Sequence, residues 1–207
     1  MNTDQKNKII IISSPSGAGK TTLCKLLLKK MRNINLSISY TSRNRRLNEI
    51  DGKDYFFVTK ERFNNLKNKN FFIETAINFG NNYGSPYKNL KTFKKNQILF
   101  DIDWKGARKI RKKVDKNDII DFFILPPSIR ELKKRLVKRG RDKKDDIDLR
   151  LSYAIKEISH YKEYSYVLIN QNVQQTVNEI IGIINTNLII EKNRKLTERK
   201  IKSLINI

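Results

Sequence analysis

Short apolar runs alternate along the chain with segments in which apolar residues recur at helical spacing. Residues 8–13, Lys-Ile-Ile-Ile-Ile-Ser, form a β-branched run that is typical of a parallel strand buried on both faces. After Lys20 the apolar residues recur every three or four positions, which predicts a helix. Similar apolar runs, each followed by a predicted helix, lie at 97–102, 119–125 and 166–169. This alternation predicts an α/β fold in which helices flank a central parallel sheet.

Residues 34–88 interrupt the alternation. They contain aromatic, strand-like segments at 54–58 and 71–79, with a short helical segment at 60–68 between them. We therefore predict an inserted α+β subdomain at 34–88. The remaining core of a single domain at 8–190 consists of residues 8–33 and 89–190.

Two later segments are rich in Lys and Arg. Residues 129–144 contain nine basic residues in sixteen positions, which predicts a mobile basic lid at about 136–150 between two helices. Residues 173–204 show helical spacing of apolar residues and are expected to form one or two helices. The last part of this segment is a basic helical tail at 191–207.

The composition narrows the class of protein. The chain of 207 residues has one cysteine, Cys24, and one histidine, His160, which excludes an internal disulfide framework and a cysteine-based zinc site. It contains neither an apolar run long enough to span a membrane nor an apolar signal-peptide core in residues 1–8. We therefore expect a cytoplasmic protein without a membrane partner.

The formal net charge of +23 has two interpretations. Such a charge favours nucleic acid or an anionic membrane as a partner. Genome composition gives the alternative, because Lys, Asn and Ile all have A/T-rich codons and Lys is tolerated on the surface. Since aromatic residues are not interleaved with the basic ones, we predict no stable nucleic-acid partner. A positive field would still attract nucleotide phosphates.

Residues 14–21, Ser-Pro-Ser-Gly-Ala-Gly-Lys-Thr, follow the pattern of a phosphate-binding loop, in which Ser14 takes the place of the first glycine. A predicted strand precedes the loop and a predicted helix follows it, so its N-H groups would point at phosphate oxygens. In this pattern Lys20 reaches the β and γ phosphates, and Thr21 ligates Mg²⁺. The predicted ATP-binding residues are Ser14, Pro15, Ser16, Gly17, Ala18, Gly19, Lys20 and Thr21.

Further motifs occur in a fixed order after the loop: Ser37 to Glu49, Gly52 to Phe57, Phe72 to Glu74 with Gly80 to Ser85, Leu99 to Gly106, and Ile124 to Ser128. Over nearly all of residues 8–190 the chain resembles the guanylate kinase family. The resemblance implies a P-loop kinase that moves the γ-phosphoryl group of ATP onto GMP. Mg²⁺ would be the cofactor, held by Thr21 and, through water, by Asp101.

The resemblance also implies the acceptor site. Arg43 and Arg46 are three positions apart and can offer forked donors to the GMP phosphate, with the Tyr55 and Tyr83 hydroxyl groups beside them. A carboxylate accepts the N1-H and N2-H₂ donors of guanine, which adenine lacks. The predicted base-reading residues are Glu74 and Asp103, with Ser39 and Ser85 assisting.

The predicted catalytic residues are all cations, namely Lys20, Arg43, Arg135, Arg139 and Arg150. The GMP phosphate is already an anionic nucleophile, so we predict catalysis by positioning and charge stabilisation without a general base. The 34–88 subdomain and the lid are expected to close over both nucleotides and exclude water.

Three alternatives remain open at this stage. A scaffold protein with the same fold could bind a phosphopeptide in this pocket, although the intact Gly19-Lys20-Thr21 favours an enzyme. A nucleic-acid-binding protein could use the net charge. A kinase for another nucleoside monophosphate is the nearest enzymatic rival, and Glu74 with Asp103 favours guanine instead. A homodimer is compatible with the sequence, which does not fix the oligomeric state.

Overall fold

The computed structural model of the chain describes residues 8–92, 96–138 and 144–204. Its strands are β1 Ile9–Ser13, β2 Ile34–Leu36, β3 Tyr40–Thr41, β4 Phe56–Phe57, β5 Phe72–Asn78, β6 Asn81–Pro86, β7 Gln97–Asp101, β8 Ile119–Leu125 and β9 Tyr166–Ile169. Its α-helices are α1 Lys20–Lys30, α2 Lys60–Asn68, α3 Lys88–Thr92, α4 Trp104–Arg111, α5 Ile129–Lys138, α6 Lys144–Ile158 and α7 Val173–Leu204.

A five-stranded parallel sheet forms the core of the domain, in the order β2-β7-β1-β8-β9. The central strand β1 is buried over its whole length, as its run of isoleucines predicts. Ile10 and Ile12 pack with Leu23 and Leu27 of α1 and with α7 on one face. Ile9 and Ile11 pack with α4 on the other face. The predicted parallel sheet with helices on both faces is thus confirmed.

A smaller sheet forms beside the core, in the order β4-β3-β6-β5. Strand β3 pairs in parallel with β4, whereas the β3-β6 and β5-β6 pairs are antiparallel. Helix α2, which begins and ends where the sequence predicted, covers this sheet through Phe63, whose ring stacks on Phe72 at 4.7 Å. The predicted strand at 54–58 is shorter than expected: Phe56–Phe57 forms the strand, and Tyr55 makes an isolated parallel bridge with Asp51.

One part of the predicted insertion belongs to the core instead. Ile34–Leu36 pairs with β7 in the large sheet, with Leu36 opposite Leu99. The smaller sheet therefore starts at β3, and placing residue 34 in the insertion was wrong. A strand of three residues has no pattern from which its partner could be predicted.

The predicted lid at about 136–150 overlaps the end of α5 and the first part of α6. The two helices pack together through Leu132, Leu136, Ile147 and Ala154. Residues 139–143, including the predicted catalytic Arg139, lie outside the described residues. Helix α7 continues without a break past residue 190 to Leu204, so the described part of the predicted tail extends the last helix of the domain. Within the three described ranges, no helix is both long and apolar enough to cross a membrane.

Candidate active site

The phosphate-binding loop lies at the carboxyl end of the central strand. Strand β1 ends at Ser13, α1 begins at Lys20, and the loop joins them. Ile12 of β1 pairs with Asp101 at the end of β7, so the register of the parallel sheet brings Asp101 beside the loop. This is the edge of a parallel sheet where α/β proteins bind ligands.

Backbone geometry makes Gly19 obligatory in this loop. Its φ of 101° lies in the left-handed region, and a Cβ at this position would lie 2.6 Å from Nδ2 of Asn170. Asn170 is fully buried, and its Nδ2 donates to the Ala18 carbonyl at 2.8 Å. The close approach lets the Asn170 amide hold the loop from behind.

Arg135 contacts the same backbone. Its guanidinium donates to the carbonyl groups of Ala18 at 3.5 Å and Asn170 at 3.3 Å, while its Nε donates to Glu131 at 3.2 Å. Arg135 therefore supports the loop from α5. It does not line the cleft in which the other predicted site residues meet.

Lys20 is held at the centre of the site. Its Nζ lies 2.5 Å from Oδ1 of Asp101 and donates to the Ile102 carbonyl at 3.0 Å. Burial alone would lower the pKa of Lys20, but the charge and hydrogen bond of Asp101 outweigh it and raise the pKa above its ordinary value. Lys20 is therefore a fixed positive charge, and Asp101 fixes its position.

A second carboxylate reaches the loop from α6. Oε2 of Glu157 accepts a hydrogen bond from the Ser16 N-H at 3.2 Å. Burial raises the pKa of Glu157, and the hydrogen bond and the Lys20 charge oppose that shift. A phosphate oxygen could take the place of this carboxylate at the loop, because both are anionic acceptors.

The predicted acceptor-phosphate residues gather around Arg43. Its Nη2 donates to both carboxylate oxygens of Glu49, at 2.8 and 3.0 Å, and the same carboxylate accepts from the Arg46 N-H at 2.9 Å. Tyr55 and Tyr83 lie beside it, with ring centroids 5.9 Å apart. Partial burial would raise the pKa of Glu49, but the Arg43 and Arg46 contacts hold it below its usual value.

The base-reading carboxylate Glu74 is buried on β5. Its Oε1 accepts from the Ser85 hydroxyl at 2.7 Å, and Ser85 is 3.0 Å from the Ser39 hydroxyl. Helix α4 approaches it closely at Gly106, where a Cβ would lie 2.8 Å from Oε2. Burial, with a smaller contribution from the charge of Asp103, raises the pKa of Glu74 to about 7.

Asp103 caps the N-terminus of α4 next to Glu74. Its Oδ1 accepts from the Gly106 N-H at 2.8 Å, and its Oδ2 accepts from Nδ2 of Asn78 at 2.8 Å. Asn78 is the last residue of β5, the strand that also carries Glu74. Two donors, the Gly106 N-H of α4 and the Asn78 amide of β5, thus fix the orientation of this carboxylate.

Helix α6 also reaches the smaller sheet. The Arg150 guanidinium lies 5.2 Å from the centre of the Phe79 ring, and Tyr153 meets the same ring edge-on at 5.5 Å. Phe79 lies in the turn between β5 and β6. Helix α6, which begins within the predicted lid, thus contacts the tip of the acceptor subdomain.

One cleft brings together most of the predicted site residues. Of the loop residues 14–21, all except Ala18 line it, and so do Arg150 and Asp101. All the predicted GMP-binding residues except Ser85 also line it. Ser85 does not, because it lies behind Glu74. Asn78, Phe79 and Glu157 also line the cleft and were not predicted from the sequence. No local pattern marks them, since their contacts join residues far apart in the chain.

Comparison with known proteins gives the same picture. The sequence profile of the family described as guanylate kinase matches residues 6–187. The chain belongs to the guanylate kinase family. The guanylate kinase of Rickettsia prowazekii is 46% identical over 186 residues, which cover 89% of this chain and 93% of that protein. The guanylate kinase of Clostridium perfringens is 40% identical over 183 residues, covering 87% of this chain and 84% of that protein.

A solved structure supports the assignment at the level of the fold. The crystal structure of guanylate kinase from Anaplasma phagocytophilum superposes with a TM-score of 0.74 at 36% identity, covering 88% of this chain and 86% of that chain. The chain therefore has the fold and the nucleotide-kinase function of guanylate kinases. The matched profile ends at residue 187, before the last part of α7.

Proposed function

We propose that this guanylate kinase transfers the γ-phosphoryl group of ATP to GMP and produces ADP and GDP. One observation carries the proposal: the phosphate-binding loop with Lys20 and the Glu74-Asp103 pair line the same cleft. A donor phosphate on the loop and a guanine on the carboxylates would then share one cavity. Arg43 and Arg46 line the same cleft and can bind the acceptor phosphate.

The donor side acts through fixed positive charge. The loop N-H groups at the start of α1 favour the ATP phosphates, and Lys20 stabilises the charge that develops on the migrating group. Because Asp101 holds Lys20 in place before the substrate binds, little reorganisation is needed during the reaction. Arg150, which faces the cleft from α6, adds a second positive charge.

The chemistry of the donors fits Mg²⁺. The Thr21 hydroxyl and the Asp101 carboxylate both line the cleft beside the loop, and both are the hard oxygen ligands that Mg²⁺ prefers, together with substrate phosphates. Thr21 would hold the ion directly and Asp101 through water. When bound, Mg²⁺ neutralises charge on the phosphates.

The acceptor side holds GMP at both ends. Arg43, whose guanidinium Glu49 already positions, binds the GMP phosphate together with Tyr55 and Tyr83. This orients the anionic GMP oxygen that attacks the γ-phosphoryl group. Glu74 accepts hydrogen bonds from the guanine ring. Adenine offers no such donors, so the buried carboxylate would be left unpaired against AMP, which can be worth roughly 10⁴-fold or more in specificity.

Closure of the site is the last part of the proposal. The contacts of Phe79 with Arg150 and Tyr153 join α6 to the acceptor subdomain across the cleft. Closure over both nucleotides would exclude water, which could otherwise hydrolyse ATP. X-ray scattering with and without both nucleotides measures this closure as a smaller radius of gyration.

A coupled assay for ADP formation tests the function. ATP and Mg²⁺ are supplied with GMP, AMP, CMP or UMP, and the Lys20→Ala and Glu74→Ala variants serve as controls. We expect turnover with GMP alone, lost in Lys20→Ala and weakened in Glu74→Ala. Turnover with another monophosphate would identify a different acceptor substrate. No turnover with any of the four monophosphates would favour the phosphopeptide scaffold.

Three further predictions belong to the same proposal. The substrates of the protein are ATP and GMP, nucleic acid is not a stable partner, and the protein acts in the cytoplasm. Nucleic-acid binding that persists in moderate salt would contradict the second of these. Sedimentation equilibrium of the full chain decides between a monomer and a homodimer.

A further inference from the structure

Asn78 is the last residue of β5, at the turn of the β5-β6 hairpin. It pairs with Asn81 across a turn whose two residues, Phe79 and Gly80, both have positive φ, 47° and 72°. Asparagine is common beside such turns, where its side chain can bond to nearby backbone. Asn81 does this, since its Nδ2 donates to the Phe79 carbonyl at 3.0 Å.

The side chain of Asn78 bonds elsewhere. Its Nδ2 donates at 2.8 Å to Oδ2 of Asp103, which is 25 positions away in the chain. Turn formation does not explain this contact. Asn78 also lines the cleft, so its amide acts at the site and not within the hairpin.

We propose that Asn78 is a specificity-determining positioning residue, whose amide fixes the Asp103 carboxylate toward the guanine of the acceptor nucleotide. The inference rests on the proposed function, because it assumes that Asp103 contacts the base. The Gly106 N-H holds the first oxygen of Asp103, and Asn78 holds the second. With only the first contact, the carboxylate could rotate about its cap bond and face solvent.

A double-mutant cycle tests the inference with the full chain. Asn78→Leu keeps the volume of the side chain and removes the donor, whereas Asp103→Ser keeps a helix cap and removes the carboxylate oxygen that Asn78 contacts. We expect Asn78→Leu to raise KM for GMP about tenfold, the effect of losing a hydrogen bond to a charged group, with kcat and KM for ATP within threefold of wild type. In the Asp103→Ser background, Asn78→Leu should raise KM for GMP less than twofold.

A control in the same hairpin separates positioning from loss of structure. Asn81 is the register partner of Asn78, and its side chain bonds within the hairpin, to the Phe79 carbonyl. The effect of Asn81→Leu on KM for GMP should therefore be the same with and without Asp103→Ser. Equal effects of Asn78→Leu in both backgrounds, or a parallel rise in KM for ATP, would overturn the inference. Wild-type turnover with GMP separates this result from failure of the proposed function, in which the wild type itself would not phosphorylate GMP.

Discussion

The ammonium of Lys20 lies 2.5 Å from the carboxylate of Asp101, at the point where the loop after β1 meets the end of β7. The sequence motifs predict two different ligands for these residues, a phosphate for Lys20 and, through water, a metal ion for Asp101. In the structure each neutralises the other, and Asp101 fixes the position of Lys20. The proposed donor phosphate would therefore meet a Lys20 that is already charged and held in place.

Replacing Lys20 should remove phosphoryl transfer and spare the fold. We expect Lys20→Met, which keeps the apolar stem, to lower kcat about 10²- to 10³-fold, as for loss of a charge that stabilises a transition state. The coupled assay measures kcat, and circular dichroism checks the fold. Lys25→Met on the same helix is the control, because Lys25 is exposed and pairs with Asp54. A Lys20→Met enzyme within tenfold of wild type would contradict the assigned role.

Binding of guanine should depend on pH through Glu74. Its carboxyl has a pKa of about 7 in the free protein and must be ionised to accept the ring N-H groups. Affinity should therefore fall as pH drops below 7, toward tenfold per pH unit, and binding near pH 7 should release a proton. Guanosine as a competitive inhibitor measures this cleanly, because it lacks the phosphate that titrates near pH 6.

The pH dependence should vanish in Glu74→Gln, whose amide does not titrate. Guanosine inhibition by this variant should be weak and equal at pH 6 and pH 8. An unchanged slope in the variant would assign the titration to another group.

The same pKa predicts a stability change in the free protein. The folded-state pKa of Glu74 is raised from 4.5 to about 7, so the folded state binds its proton more tightly than the unfolded state. Its contribution to stability is fully present below pH 4.5 and is lost as pH rises through 7. Glu74→Gln should therefore raise the free energy of unfolding by about 2 to 3 kcal/mol at pH 8 and little at pH 5. Urea unfolding at both pH values measures this, and a larger gain at pH 5 would reverse the sign and refute the assignment.

The elements that the sequence predicted well are those with a long, regular pattern. The isoleucine run of β1 and the helix Lys60–Asn68 lie where the sequence predicted them, because burial on one or both faces requires a regular pattern of apolar residues. Strand β2 has three residues and no such pattern; its segment was placed in the insertion, whereas it pairs with β7 in the large sheet.

The site residues also fall into two groups, those that the sequence predicted and those that it did not. Lys20 and Glu74 lie in motifs with recognisable spacing, so the sequence predicted that they belong together. Asn78, Glu157 and Asn170 act through single contacts across 25 to 152 positions of sequence. Such contacts depend on how separate elements pack, and no local pattern records that.

Glu49 should act on GMP through Arg43 and Arg46. Removing its charge in Glu49→Gln frees the Arg43 guanidinium from a doubly bonded partner and loosens the turn at Arg46. We expect KM for GMP to rise about tenfold, with KM for ATP unchanged. Steady-state kinetics with each substrate varied in turn gives both values. Glu61→Gln, in the first turn of α2, is the matched control, and an equal effect there would exclude a specific role.

Gly19 should tolerate no side chain, for two separable reasons. Alanine would be strained at a φ of 101°, and its Cβ would collide with Asn170 at 2.6 Å. We expect Gly19→Ala to weaken ATP binding more than tenfold by calorimetry. Gly80→Ala is the control, because it has positive φ with open space around it and should cost about 1 kcal/mol of stability without changing ATP affinity. Adding Asn170→Ala to Gly19→Ala removes the collision but leaves the backbone strain, so it should restore only part of the affinity. Full recovery would mean that crowding alone fixes the loop, whereas no recovery would assign the whole effect to φ and to the lost support of Ala18.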